Sequence, residues 1–196
     1  MKTLKFLALL LLITNCSKSD ETNGSTPYVD NKYLISSEFL RSHSANGLAL
    51  VAGAFISLSD LSDPLKNIEA YKIKYKTTDV DGSEIVASGV VFVPQGDAEM
   101  PIVSYQHGTI SDNDNAPSNV ESLGNDEYTI MAVFSSFGFV VSMPDYIGYG
   151  DSVASEHPYE HGNSLGSTSY DMLKATKEFL TNEEVKANNK LFLLGY

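Results

Sequence analysis

From Ala70 onward apolar and polar residues alternate. Tyr71, Ile73 and Tyr75 interleave with Lys72, Lys74 and Lys76, and a period of two predicts a half-buried strand with one polar face. Asp81-Gly82 is a turn signal, and the run Ile85 to Val93 predicts a second strand, so the two form an antiparallel hairpin that Pro94 ends. Three later runs, Pro101 to Tyr105, Phe139 to Met143 and Lys190 to Leu194, read as short apolar strands. Between them lie two stretches of helical spacing. Asp126 to Phe137 places Ile130, Met131, Val133, Phe134 and Phe137 inward, with Gly138 as the stop. Ser169 to Leu180 places Met172, Leu173, Ala175, Thr176 and Phe179 inward. Strands without a polar face, alternating with helices, predict an α/β fold: an antiparallel hairpin leading into a parallel sheet with helices on both faces. Upstream, Tyr33 to Leu61 has apolar residues at mixed spacing and predicts short helices, giving a helical lead-in over 33–66 and a sheet portion over 70–196.

The first thirty residues follow a different pattern. Lys2 and Lys5 precede the apolar run Phe6 to Ile13 and then Thr14-Asn15-Cys16, the layout of a cleaved signal peptide over residues 1–15. At ~1.5 Å per residue this run is far shorter than a hydrocarbon core of ~30 Å. Cys16 is the only cysteine, so no disulfide can form within one copy of the chain and stability must come from a core. Ser17 to Asp30 is polar with almost nothing to bury, and residues 16–32 read as a solvated tether before a domain over 33–196. Removing Lys2 and Lys5 from the 13 basic residues leaves 11 against 25 acidic ones, a net charge of −14. Nucleic acid is thereby disfavoured as a partner.

In an open parallel sheet, ligands bind beyond the carboxyl ends of the strands. His107-Gly108-Thr109, directly after a strand, suits an oxyanion hole, because a glycine lets the backbone approach a ligand closely; a strand-ending turn is the plainer reading of the same residues. Asp145 to Gly150 is the second loop at this end, with Asp145 ordering the loop and Tyr146 and Tyr149 either lining the pocket or simply packing. The strand closing at Leu194 runs into Gly195-Tyr196, the way a G-x-S-x-G nucleophile elbow begins. A literal G-x-S-x-G also occurs at Gly162-Asn163-Ser164-Leu165-Gly166, but Glu156 to His161 before it is polar and broken by Pro158, so it reads as the lead-in to a helix. His157 and His161 have metal-ligand spacing but no third ligand nearby, so no metal site and no cofactor is expected.

Two resemblances follow. Ile13-Thr14-Asn15-Cys16 resembles a bacterial lipobox, with Asn15 where a small residue is usual, as in looser Bacteroidetes-type boxes. This implies that Cys16 is lipidated and holds the protein on the outer membrane. Ser17-Lys18-Ser19-Asp20-Glu21 resembles the acidic tags that send some lipoproteins to the cell surface. Separately, Ser104 to Thr109, Pro144 to Gly150, His157-Pro158-Tyr159, Tyr170 to Ala175 and the closing Leu-Gly-Tyr resemble the secretory-lipase branch of the α/β-hydrolases, which includes secreted cell-wall esterases. The resemblance spans roughly Ala70 to Tyr196. It implies carboxylic-ester hydrolysis by a Ser-His-Asp triad. Gly108 and Thr109 form the oxyanion side, Gly195 and Tyr196 the elbow approach, and His107, Asp145 and Tyr146 the pocket loop. It further implies a serine directly after Tyr196 and an Asp and His beyond it, so this stretch by itself is expected to be inactive and aggregation-prone. The competing readings are a prolyl-oligopeptidase-type peptidase, which normally carries a large extra domain, and a surface lipoprotein that uses the scaffold only to bind.

Overall fold

The structure is a computed structural model that describes residues 31–54, 56–124 and 126–195. Among the described residues six strands form one sheet: β1 (Leu34–His43), β2 (Ile68–Thr78), β3 (Glu84–Pro94), β4 (Met100–Gln106), β5 (Val140–Pro144) and β6 (Ala187–Gly195). Their spatial order is β1-β2-β3-β5-β4-β6. The β1-β2, β2-β3 and β3-β5 pairs are antiparallel, while β5-β4 and β4-β6 are parallel. Three helices flank the sheet: α1 (Ala45–Ala52), α2 (Asp126–Ser136) and α3 (Gly162–Asn182).

The predicted hairpin forms β2 and β3, paired without a register break from Ile68 with Pro94 to Thr78 with Glu84. In β3 the run Val90 to Val93 is buried throughout, because successive side chains enter opposite faces. Val91 and Val93 join Ile73, Tyr75, Ile102 and Val140 beneath α3, whose Met172, Leu173, Ala175 and Phe179 close that core. Val90 and Phe92 join Ala70, Val103, Val141 and Met143 beneath α1 and α2, closed by Leu48, Tyr128, Met131 and Ala132. Each fully buried residue of this size contributes about 1.5–3 kcal/mol. This is why the buried runs of β3, β4 and β5 are nearly all apolar on both faces.

Two expectations are corrected. The lead-in over 33–66 is not helical throughout: Leu34–His43 is a strand, and the one α-helix there is Ala45–Ala52. Two bulges in β1, between Leu34 and Ser36 and between Phe39 and Arg41, break the period of two that would have marked a strand. What holds β1 is backbone pairing to β2, helped by the edge-on ring contact of Phe39 with Tyr71 at 5.7 Å. The second correction concerns α2, where Ile130 and Phe137, expected inward, are exposed. Helical spacing defines an apolar stripe but not how much of its width the sheet covers. Tyr128, Ala132 and Ser135 occupy the buried side instead.

α2 and α3 lie on opposite faces because the chain reverses direction across the sheet. The connection from β4 to β5 steps one way, and that from β5 to β6 steps back past β4; right-handed crossovers in opposite directions put their helices on opposite faces. β6 is the outermost strand on its side among the described residues. Leu191, Phe192, Leu193 and Leu194 are 43%, 49%, 73% and 41% exposed, so both of its faces present apolar surface.

Gly89 sits where β3 meets the end of β5. A side chain there would run into the Met143 carbonyl, Met172 Cε at 2.9 Å and Pro144 Cα at 2.9 Å. Gly89→Ala is expected to lower the unfolding free energy by about 1–3 kcal/mol, the usual cost of overpacking, as read from urea denaturation beside the parent.

Candidate functional site

Three chain segments converge at the carboxyl ends of β4, β5 and β6. The loop after β5 is the most tightly constrained. Asp145 is fully buried, and its carboxylate accepts hydrogen bonds from the Ser88 hydroxyl at 2.5 Å, the Ser118 amide at 2.8 Å and the Ser118 hydroxyl at 2.6 Å. Its own amide donates to the Ser88 carbonyl at 2.9 Å. Ser88 Oγ also accepts from the Asp151 amide at 2.8 Å, and the Asp151 carboxylate is paired with Lys72 at 2.8 Å and Lys74 at 2.6 Å. Burial raises the Asp145 carboxyl above its ordinary range, opposed by the Ser118 and Ser88 hydrogen bonds and by the charge of Lys72.

Immediately after this anchor the chain turns sharply. Tyr146 has φ of 68°, a left-handed conformation that costs a non-glycine residue about 1–3 kcal/mol and persists only where the surroundings enforce it. The turn lays the Tyr146 ring against His107 at 4.4 Å between centroids, and its hydroxyl donates to the His107 carbonyl at 3.5 Å. Burial pushes the Tyr146 phenol up to about 12. Farther along, the Tyr149 hydroxyl donates to the Ile110 carbonyl at 2.6 Å and the Gly150 amide to Asn113 Oδ1 at 2.7 Å. These bonds tie the β5 loop to the segment following β4.

In the loop after β4, His107 is 6% exposed. Its Nδ1 lies 2.7 Å from the Gly108 carbonyl; a carbonyl only accepts, so Nδ1 carries the proton. Nε2 is buried with no hydrogen-bond partner among the described residues. The Gly108 amide donates to both Glu127 oxygens, at 3.2 and 3.3 Å, and the same carboxylate accepts the Tyr105 hydroxyl at 3.1 Å. Thr109 is exposed. Between the β4 and β5 loops lies a cavity of about 240 Å³ lined by His107, Gly108, Thr109, Tyr146, Tyr149 and His157, among others.

At the end of β6, Gly195 pairs with Gln106. A Cβ on Gly195 would stand 2.8 Å from the Gln106 carbonyl and 3.0 Å from Gln106 Cβ, so a glycine is needed for β6 to reach the end of β4 at this spacing. Tyr196, and Cys16 with its tether, lie outside the described residues. Beside β6 an apolar trough of about 570 Å³ opens against α3, lined by Leu165, Tyr170, Leu173, Leu191 and Leu193 with Gln106 and Tyr146 at one end.

Ser164 is away from this convergence. It lies in the first turn of α3, buried, with its amide donating to His161 Nδ1 at 3.2 Å and its hydroxyl bonded to the His161 carbonyl at 3.1 Å. A buried serine inside the first turn of a helix that His161 caps cannot present the exposed oxygen of an elbow. His157 Nδ1 is bonded to the Ile147 carbonyl at 2.7 Å, so the two histidines serve separate local contacts. Ser88, Ser118 and Glu127 were not singled out from the sequence. Ser88 left a faint signal, a hydroxyl inside an otherwise apolar strand, whereas the partnership of Glu127 with Gly108 spans nineteen residues and leaves none.

This arrangement, a mixed sheet with helices on both faces and loops converging at its carboxyl edge, is an α/β-hydrolase fold, and comparison with solved structures agrees. A Legionella pneumophila protein classed as a hydrolase superposes with a TM-score of 0.75 at 33% identity, over 84% of this chain and 44% of that one. The rice cell wall degrading esterase LipA of Xanthomonas oryzae gives 0.69 at 25% identity, over 83% and 41%. Candida antarctica lipase A gives 0.54 at 16% identity, over 83% and 34%, a likeness of fold alone. The chain thus spans less than half the length of each. No protein-family profile matches the sequence, and no curated protein matches it significantly.

Asp145→Ala would leave the Ser88 and Ser118 donors facing a void; at ~1–3 kcal/mol per buried unsatisfied group, a loss of about 2–4 kcal/mol is expected in chemical denaturation. The pH dependence has a definite sign. An acid whose folded pKa is raised binds its proton more tightly folded than unfolded, so Asp145 penalises the fold increasingly as pH rises through and above the ordinary carboxylate range. Asp145→Asn should remove this component of the acid-side pH dependence, as measured by denaturation midpoints at successive pH values.

Proposed function

We propose that this protein is a carboxylic-ester hydrolase whose nucleophile is a serine directly following Tyr196, with its triad Asp and His farther along the chain. The observation that carries the reading is the seating of Gly195 against Gln106. It brings the end of the parallel strand β6 beside the loop that carries Gly108 and the exposed residue Thr109. An elbow serine one turn beyond would stand at the cavity under the β4 and β5 loops.

The trough beside β6 supports the same reading. A parallel strand added outside β6 would continue in the direction of the β5-to-β6 step, so a right-handed crossover places the intervening helix on the α3 face. That helix would cover Leu191 and Leu193 and fill the trough, with its amino terminus at the elbow, where its dipole and free amides favour a developing negative charge. The ester substrate is small or polymer-borne, in keeping with the esterases among the structural neighbours. The lipobox-like Ile13 to Cys16 places the mature protein on the outer membrane through acyl chains, worth about 0.8 kcal/mol per buried CH₂.

Two experiments test this. In the full-length protein a fluorophosphonate should label the residue after Tyr196, and replacing that residue with alanine should lower kcat on p-nitrophenyl esters at least about a thousandfold. A residue other than serine there, or labelling elsewhere, favours a binding protein or an unrelated mechanism. Separately, incorporation of radiolabelled fatty acid should vanish in Cys16→Ala; persistence would remove the anchor from the reading.

A further inference from the structure

The amide of Gly108 is already engaged. Both oxygens of Glu127, from the first turn of α2, accept it at 3.2 and 3.3 Å, and Tyr105 steadies the same carboxylate from β4. On the other side of that peptide the His107 carbonyl accepts from Tyr146. The peptide joining His107 and Gly108 is therefore held from both ends, with its N–H taken by Glu127.

The next peptide is held as well. The Gly108 carbonyl accepts the Nδ1 proton of His107 at 2.7 Å. No peptide bond of the described chain is cis, and in a trans peptide the carbonyl and the following N–H point in opposite directions. His107 is buried and Thr109 exposed, so pinning the carbonyl toward the ring turns the Thr109 N–H away from it, on a residue that lines the cavity. Gly108 has no side chain to resist being fixed from both sides.

From this geometry we infer that His107 and Glu127 are positioning residues: they clamp the two peptides flanking Gly108 so that the Thr109 N–H, and not that of Gly108, faces the substrate oxygen. The inference rests on the ester-hydrolase reading above and assigns the work within it. Glu127 commits the Gly108 donor elsewhere, and the His107 ring acts as a strut through its bond to the Gly108 carbonyl. Donors of this kind act by being pre-aimed at developing charge.

The test uses the full-length protein and a pair of substitutions at each strut. H107F keeps a ring to pack on Tyr146 but has no donor, whereas the side-chain amide of H107N occupies the place of Nδ1 and can donate to the Gly108 carbonyl. In H107F, kcat on a p-nitrophenyl ester is expected to fall about 100-fold with KM within about twofold, a loss of the size that follows removal of one oxyanion donor. Affinity for an arylboronic acid, which forms a tetrahedral adduct, should fall in parallel, and H107N should recover at least about tenfold of each. E127A is expected to lower kcat in the same manner, and E127Q, which keeps a carbonyl acceptor for the Gly108 amide, to recover it.

An unchanged kcat in H107F overturns the inference, as does a loss that appears only in KM or that H107N leaves unrepaired, since those outcomes describe packing. Should H107F not accumulate as folded protein, the E127A and E127Q pair decides by the same criteria. A parent protein that hydrolyses no ester and takes no fluorophosphonate removes the ester-hydrolase reading and this inference with it. An active parent with insensitive variants removes the inference alone.

Discussion

A buried carboxylate without a direct counter-ion is costly unless hydrogen bonds stand in for water, and Asp145 dictates what surrounds it. Its oxygens draw a hydroxyl from β3 and a hydroxyl and amide from the segment at Ser118. Room must be left for them: a side chain on Gly150, at φ 57°, would overlap Asp145 Oδ2 and Ser88 Oγ. The nearby lysines pair with Asp151, and the charge of Lys72 acts on Asp145 through space. Four segments of chain thus meet around one ionisable group, and none can shift without unpairing it.

The candidate site inherits its shape from that junction. Because Asp145 and Gly150 are both fixed, the residues between them must turn within a short span, and Tyr146 takes up the turn in a left-handed conformation. The ring it projects covers His107, which in turn fixes the Gly108 carbonyl. Rigidity passes from a buried acid, through a strained tyrosine, to the Gly108 carbonyl, next to the exposed Thr109. Nε2 of His107, buried without a hydrogen-bond partner among the described residues, lies on this route.

Much of the scaffold was legible from residue order. The hairpin, the three apolar strands and the two later helices follow from periods of two and 3.6, because burial acts on each side chain by its own position. β1 was not, since its stability comes from backbone pairing and its bulges erase the period. The reach of α2 was overestimated at Ile130 and Phe137, since the sheet covers less of the helix than its apolar stripe allows. At the candidate site the loop residues His107, Gly108, Asp145 and Tyr146 stood out through local chemistry, and Gly195 through its strand. The partners that set their geometry, Ser88, Ser118 and Glu127, come from distant segments. A hydrogen bond across 57 residues, such as Ser88 to Asp145, has no signature in either neighbourhood.

The strand order also carries a kinetic consequence. β1, β2 and β3 follow one another in sequence and pair side by side; β2 and β3 are closed by the short turn at 79–83, and β1 reaches β2 through residues 44–67, which carry α1. The β4, β5 and β6 region requires two long crossovers and the insertion of β5 between β3 and β4. Loop-closure entropy makes such non-local pairings slow to nucleate. The antiparallel half is thus the natural template for assembly, and β5 completes the join by pairing with β3 on one side and β4 on the other. The Asp145 junction, at the end of β5, becomes satisfied only when that strand arrives, so the loops of the candidate site take their final form late in folding.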